Sequence, residues 1–189
     1  MNRSLYLLAA TSVGQLLIIG FIIGMAMYPL INGVSVTLPI QNSYLSDLKM
    51  RGKYAALSYS FSRLRADTLP NDLDPKKRYN YGDRLWIKLV RKGDFFYPQG
   101  IYKKKPEGGV ILKAYVESAY SFRDSAQRQK LELELRAGIE EYYITQFNAQ
   151  LLEKQLEAKD SLQAVAFVKI APNGAARIEK IEIRKIVKK

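Results

Sequence analysis

Neither histidine nor cysteine occurs among the 189 residues of this sequence. That excludes the imidazole general base, the Ser-His-Asp triad, thiolate nucleophiles, disulfides and histidine-rich zinc sites. Serine, lysine and carboxylate remain. A serine nucleophile activated by lysine needs an amine whose pKa is lowered by burial. Ser35 and Ser43 follow an apolar N-terminal run, but no lysine stands out as the inward residue of an apolar strand. Glu140 and Glu141 with Asp83 or Asp94 would supply an acid/base pair. Nothing in the sequence brings them together, and exposed carboxylates are commoner than catalytic ones. No catalytic, cofactor or metal residue is therefore assigned, and no cofactor is expected.

Charge offers binding chemistry instead. The formal net charge is +12, and Arg3 is the sole charged side chain before Asp47, so nearly all of the surplus lies in the C-terminal body. Such a surplus favours anionic partners, although a generally basic solvated surface is the plainer reading. The densest cluster, Lys103-Lys104-Lys105, would contact an anionic surface, or else protect a strand end from edge-to-edge pairing. Thirteen tyrosines lie partly among Lys and Arg, as at Tyr54, Tyr59, Tyr79, Tyr81, Tyr97, Tyr102 and Tyr115. Basic strands with aromatics can stack bases, but these alternate as a sheet core would, and no nucleic-acid partner is expected.

The elements that hold these residues divide at about residue 50. Leu5 to Ile31 carries no charge and exceeds the 20 or so residues that cross a bilayer. It is too long for the apolar region of a signal peptide and lacks a good cleavage site, so an uncleaved anchor is expected over residues 1–31. With the amine and Arg3 on its short side, the positive-inside rule puts the N-terminus in the cytoplasm and the body outside. Gly20 and Gly24 form a GxxxG, which lets two helices approach; homo-oligomerisation stays open, since glycine is frequent in membrane helices anyway. Asn32-Gly33 should close the helix. Residues 32–50 read as a linker with a short lead-in strand, Val34 to Leu38, followed by a turn of helix or irregular chain around Tyr44, Leu45 and Leu48.

The body, residues 51–189, reads as mainly β. Period-2 patterning predicts a strand from Gly52 through Phe61 to about Arg65, then a loop from Ala66 to Arg78. A hairpin follows, Arg84 to Val90 and Phe95 to Lys103 about Lys92-Gly93-Asp94, with Pro98 marking an edge or bulge. Val110 to Ala119 and the alternating Leu131, Leu133 and Leu135 give two more strands, and Ala137-Gly138 breaks the chain before Ile139 to Thr145. Phe147, Leu151, Leu152 and Leu156 recur at helical spacing, the one amphipathic helix expected. Leu162 to Ile170 and Ala175 to Val187 close the body around Pro172-Asn173-Gly174.

Arg51-Gly52-Lys53-Tyr54 with Leu57 and Tyr59 resembles the motif that names the GDYXXLXY family, small single-anchor bacterial membrane proteins of unestablished role. It departs at Lys53, where the family has Asp, so a role needing a carboxylate there does not carry over. Lys104-Lys105-Pro106 is similar to the family's Lys-Pro at the end of its second hairpin. Gly138-Ile139-Glu140-Glu141-Tyr142-Tyr143 resembles its Gly-Ile-Glu-x-Tyr-Tyr segment. The resemblance implies a membrane anchor and a β-rich extracytoplasmic domain, not a reaction. The expectation is a single-pass bacterial envelope protein, integral to the cytoplasmic membrane, that binds or assembles with other envelope proteins and touches anionic lipid. A membrane-anchored Ser/Lys peptidase is the alternative: the signal-peptidase type places its serine just after the anchor and its lysine on a neighbouring strand, but its Ser-Met box is missing here.

Overall fold

The computed structural model describes residues 3–48, 52–143 and 162–185. An N-terminal helix, α1 (Arg3–Asn32), leads into ten strands: β1 (Val34–Leu48), β2 (Gly52–Tyr59), β3 (Arg63–Arg65), β4 (Arg84–Lys92), β5 (Phe95–Tyr102), β6 (Val110–Arg123), β7 (Gln129–Arg136), β8 (Glu141–Tyr143), β9 (Leu162–Ile170) and β10 (Ala176–Lys185). The protein is mainly β, and among the described residues one long apolar helix lies at its N-terminus. The amphipathic helix expected around Phe147 to Leu156 falls outside the described residues.

Within α1, Ala10–Asn32 is long and apolar enough to cross a membrane. Leu16, Leu17, Phe21 and Ile31 are each more than two-thirds exposed. A helix apolar all round and left uncovered by its own domain has the composition of a membrane span.

The strands form two five-stranded sheets, ordered β10-β9-β1-β2-β8 and β3-β7-β6-β4-β5. Every neighbouring pair is antiparallel. Alternate residues of each sheet point into one shared core. Val36, Leu38, Leu57 and Val168 come from the first sheet, and Leu85, Ile87, Leu112 and Leu133 from the second. No charged side chain is buried among the described residues.

Two segments differ from their sequence reading. Residues 34–48, read as a brief lead-in and a linker, are one long strand at the centre of its sheet. Its first part pairs with β9 from Val34 to Pro39, and its second with β2 from Ile40 to Leu48, with a bulge at the change of partner. Pro39 and the polar Gln41-Asn42-Ser43 interrupt the alternation in the sequence, while the ladder on either side imposes extended backbone regardless. The second difference lies at Tyr59. The strand expected to run on to Arg65 stops there, turns through Ser60, Phe61 and Ser62, and resumes as β3 in the opposite sheet. Ser62 causes the stop: its hydroxyl accepts from the Tyr59 N–H at 2.9 Å, and its own N–H donates to the Tyr59 carbonyl at 2.9 Å. Serine competes in this way with the sheet ladder.

The β4–β5 hairpin forms as expected, with β5 at a sheet edge and a register shift where Pro98 meets Leu89. Trp86 points away from the core but is only 9% exposed, because the β9–β10 turn lies over it. Gly174 in that turn has φ +78°, a Cβ there would sit 2.7 Å from the Trp86 ring, and its carbonyl accepts from the Lys113 N–H at 2.8 Å. Only glycine fits both the backbone angle and the space.

Candidate functional site

The residues that carry the two motifs are brought together by strand pairing. β2 pairs with β8, setting Tyr54 opposite Tyr143, Ala55 opposite Tyr142 and Ala56 opposite Glu141. On its other side β2 pairs with β1, with Gly52, Lys53 and Tyr54 opposite Leu48, Asp47 and Ser46. Arg51 lies outside the described residues. The junction is locked from the inside. Tyr59 is 1% exposed, and its hydroxyl donates at 2.8 Å to the carbonyl of Ile139, 80 residues away in sequence. Its ring stacks on Phe61 with centroids 5.1 Å apart. Leu57 is also buried, and its N–H donates to the Glu140 carbonyl at 2.7 Å.

Glu140 shapes the turn that presents these acceptors. Its carboxylate accepts from the backbone N–H groups of Ala137 and Gly138, the latter at 2.8 Å. Gly138 holds φ +79°, a conformation glycine adopts without strain. Burial pushes the Tyr59 phenol pKa far up, and the negative charge of Glu140 adds to it. The phenol therefore stays protonated and keeps donating. Tyr142 is half-buried against the core, and Tyr143 is exposed.

Beside this junction runs an open groove of about 570 Å³, its charged lining including Glu117, Glu134, Arg136 and Glu141. These charges are engaged with one another or with neighbours: Arg136 lies 3.4 Å from Glu141 and 3.8 Å from Glu117, and the Ser118 hydroxyl donates to Glu134. The pairing of Glu140 or Glu141 with Asp83 or Asp94 does not occur. Glu140 caps its own turn, Glu141 faces Arg136, and Asp83 accepts from the Asn80 N–H at 2.9 Å. No group of three metal-ligating side chains exists among the described residues.

The side chains of the lysine cluster have different neighbours. The Lys103 ammonium sits 5.6 Å above the Tyr79 ring, and its backbone N–H donates to Asp72 at 2.7 Å. Lys104 is exposed. Lys105 turns the other way, donating to the Pro172 carbonyl at 2.7 Å. With Val34, Gly108, Gly109 and Ile170 it lines a cavity of about 500 Å³. Gly20 and Gly24 lie on α1, and beyond the helix's own backbone nothing comes within 4 Å of where a Cβ would be.

Strand register also produces a juxtaposition that the sequence concealed. Ser35, just past α1, is the direct cross-strand partner of Lys169 on β9, and Lys169 in turn is opposite Arg177 on β10. The symmetric hairpin about Pro172-Asn173-Gly174 carries the second pairing in its spacing. The first depends on which strand lies beside β1, and no local pattern states that.

The family model described as GDYXXLXY protein matches residues 15–181 of this chain, most of its length and both motif segments. No curated protein matches the chain, and no solved structure does.

Proposed function

The chain belongs to the GDYXXLXY family, and from that premise we propose that it is a single-pass bacterial membrane protein whose β-domain binds or assembles with other envelope components and is not a catalyst. The observation that carries this reading is the junction between helix and domain: α1 ends at Asn32, a single residue intervenes, and β1 begins at Val34 as the central strand of its sheet. A domain so joined is a rigid extension of its anchor, suited to presenting fixed surfaces at a set height above the bilayer. The motif residues Leu57 and Tyr59 are spent on the interior, which leaves the outer faces as the part that meets partners. On the Arg3 bias the N-terminus is cytoplasmic and the β-domain periplasmic. Protease added to intact spheroplasts is expected to digest the domain, and crosslinking on native membranes to capture a stable envelope neighbour. A fully protected domain refutes the orientation, and a chain with no crosslinked neighbour refutes the assembly role.

The Ser/Lys peptidase stands as a second reading because of one geometric fact, the Ser35–Lys169 pairing on adjacent strands next to the anchor. Against it, Ser35 is exposed and Lys169 only half-buried, whereas a lysine base works desolvated. Ser35→Ala is expected to leave the protein's cellular role unchanged. Loss of that role with an unaltered fold would instead select the peptidase.

A further inference from the structure

We propose that the pole of the β-domain beside α1 binds anionic phospholipid headgroups through Lys169 and Arg177, with Lys105 alongside. The inference rests on the reading of α1 as a membrane anchor. Position is the first argument. A Cβ on Gly33, the residue between α1 and β1, would lie 3.0 Å from the Lys169 Cβ. Val34, the next residue, shares a cavity with Lys105. These cations therefore sit at the level where the helix leaves the bilayer, among the headgroups.

Charge is the second, independent argument. Lys169 and Arg177 are direct cross-strand partners, which sets their Cβ atoms about 5 Å apart, and like charges so placed repel. Neither forms an ion pair among the described residues, nor does Lys105. Other cations of the domain do have a carboxylate beside them, Arg63 with Glu132, Lys130 with Asp67, Arg136 with Glu141 and Lys180 with Glu182, but among the described residues the Lys169–Arg177 pair has none to offset its repulsion. Among the described residues, Glu107 is the sole acid lining the cavity at this pole. A phosphodiester lying between an ammonium and a guanidinium relieves the repulsion, and the guanidinium fork matches its two free oxygens. The anchor selects the source, since it holds lipid phosphate here at high effective concentration. The surface is narrower than the Lys103-Lys104-Lys105 run, because Lys103 is turned to Tyr79.

The test uses the full chain reconstituted into phosphatidylcholine vesicles, with spin-labelled phosphatidylglycerol or phosphatidylcholine reporting lipid held at the protein surface. The wild type is expected to prefer phosphatidylglycerol, by roughly five-fold for each basic side chain that reaches the headgroups, and the preference should shrink as salt is raised. Lys169→Gln with Arg177→Gln should abolish most of it. Ser35→Ala and a Lys103→Gln, Lys104→Gln pair should leave it in place. In zwitterionic detergent the Lys169→Gln, Arg177→Gln protein should melt no lower than wild type, since a repulsion has been removed. Added phosphatidylglycerol should then raise the wild-type midpoint alone, and inorganic phosphate should not reproduce the rise. Equal lipid preference in wild type and the double variant overturns the proposal, as does a wild type indifferent to headgroup charge. A chain that fails to enter vesicles at all overturns the anchor reading along with it.

Discussion

Tyr59→Phe should lower the stability of the β-domain by about 1–3 kcal/mol, the penalty for leaving a buried carbonyl without its donor. The carbonyl concerned is that of Ile139, which receives the Tyr59 hydroxyl at 2.8 Å and is itself buried. Tyr59→Ala also removes the ring that stacks on Phe61, and should cost about 3–5 kcal/mol; Leu57→Ala, at the same junction, about 2–5 kcal/mol. Unfolding of the detergent-solubilised chain can be followed through Trp86, the one tryptophan. A midpoint unmoved by Tyr59→Phe would show that the hydroxyl serves the surface and not the fold. The same hydroxyl predicts an alkaline signature. Its folded pKa is raised by burial first and Glu140 second, so its contribution is fully present below the unfolded tyrosine pKa of about 10. That contribution is lost as pH climbs above it. Wild type should therefore shed stability at high pH by a component that Tyr59→Phe lacks.

This junction shows how far the sequence could be read. Tyr59 and Leu57 stand in a period-2 run that announces a strand, and Gly138 announces a break. That the two segments meet is not written in either, because contact across 80 residues is decided by strand order and not by local pattern. The resemblance to a family drew attention to both segments without joining them. The Tyr59–Ile139 hydrogen bond and the Glu140 cap are what join them. The hairpins were legible for the opposite reason: in β4–β5 and β9–β10 the turn residues and the alternating flanks sit within a few positions of one another.

Residues 32–50 mark the limit from the other side. A strand buried between two neighbours can dispense with a strong pattern of its own, so Pro39 and three polar residues disguised the centre of a sheet as a linker. The candidate site shared that fate. The run Lys103-Lys104-Lys105 is conspicuous as letters, yet the fold sends Lys103 to an aromatic ring and Lys105 to a turn. The like-charged pair of Lys169 and Arg177 is inconspicuous as letters, and needs only the register of one hairpin to become a patch.

The largest mechanical effect is expected at Gly33. An added Cβ would lie 2.2 Å from the Pro29 carbonyl oxygen and 3.0 Å from the Ile170 nitrogen, and both are backbone atoms that no rotamer change can move. Gly33→Ala must therefore shift either the last turn of α1 or the first pairing of β1 with β9, Val34 with Ile170. Overpacking of this kind typically costs about 1–3 kcal/mol, and the cost falls on the joint between α1 and the β-domain. Gly33→Ala should lower the thermal midpoint of the full chain, and amide exchange should quicken first at Val34 to Val36 and Val168 to Ile170, with β4 to β7 unaffected. A larger side chain, as in Gly33→Val, should widen the same zone. If the domain is a rigid extension of its helix, the spread of distances between spin labels placed at Ile18 and Arg84 should be narrow in wild type and broad in Gly33→Ala. Equally broad distributions in both proteins would mean that the joint is a hinge, and that the β-domain samples the membrane surface without a fixed pose.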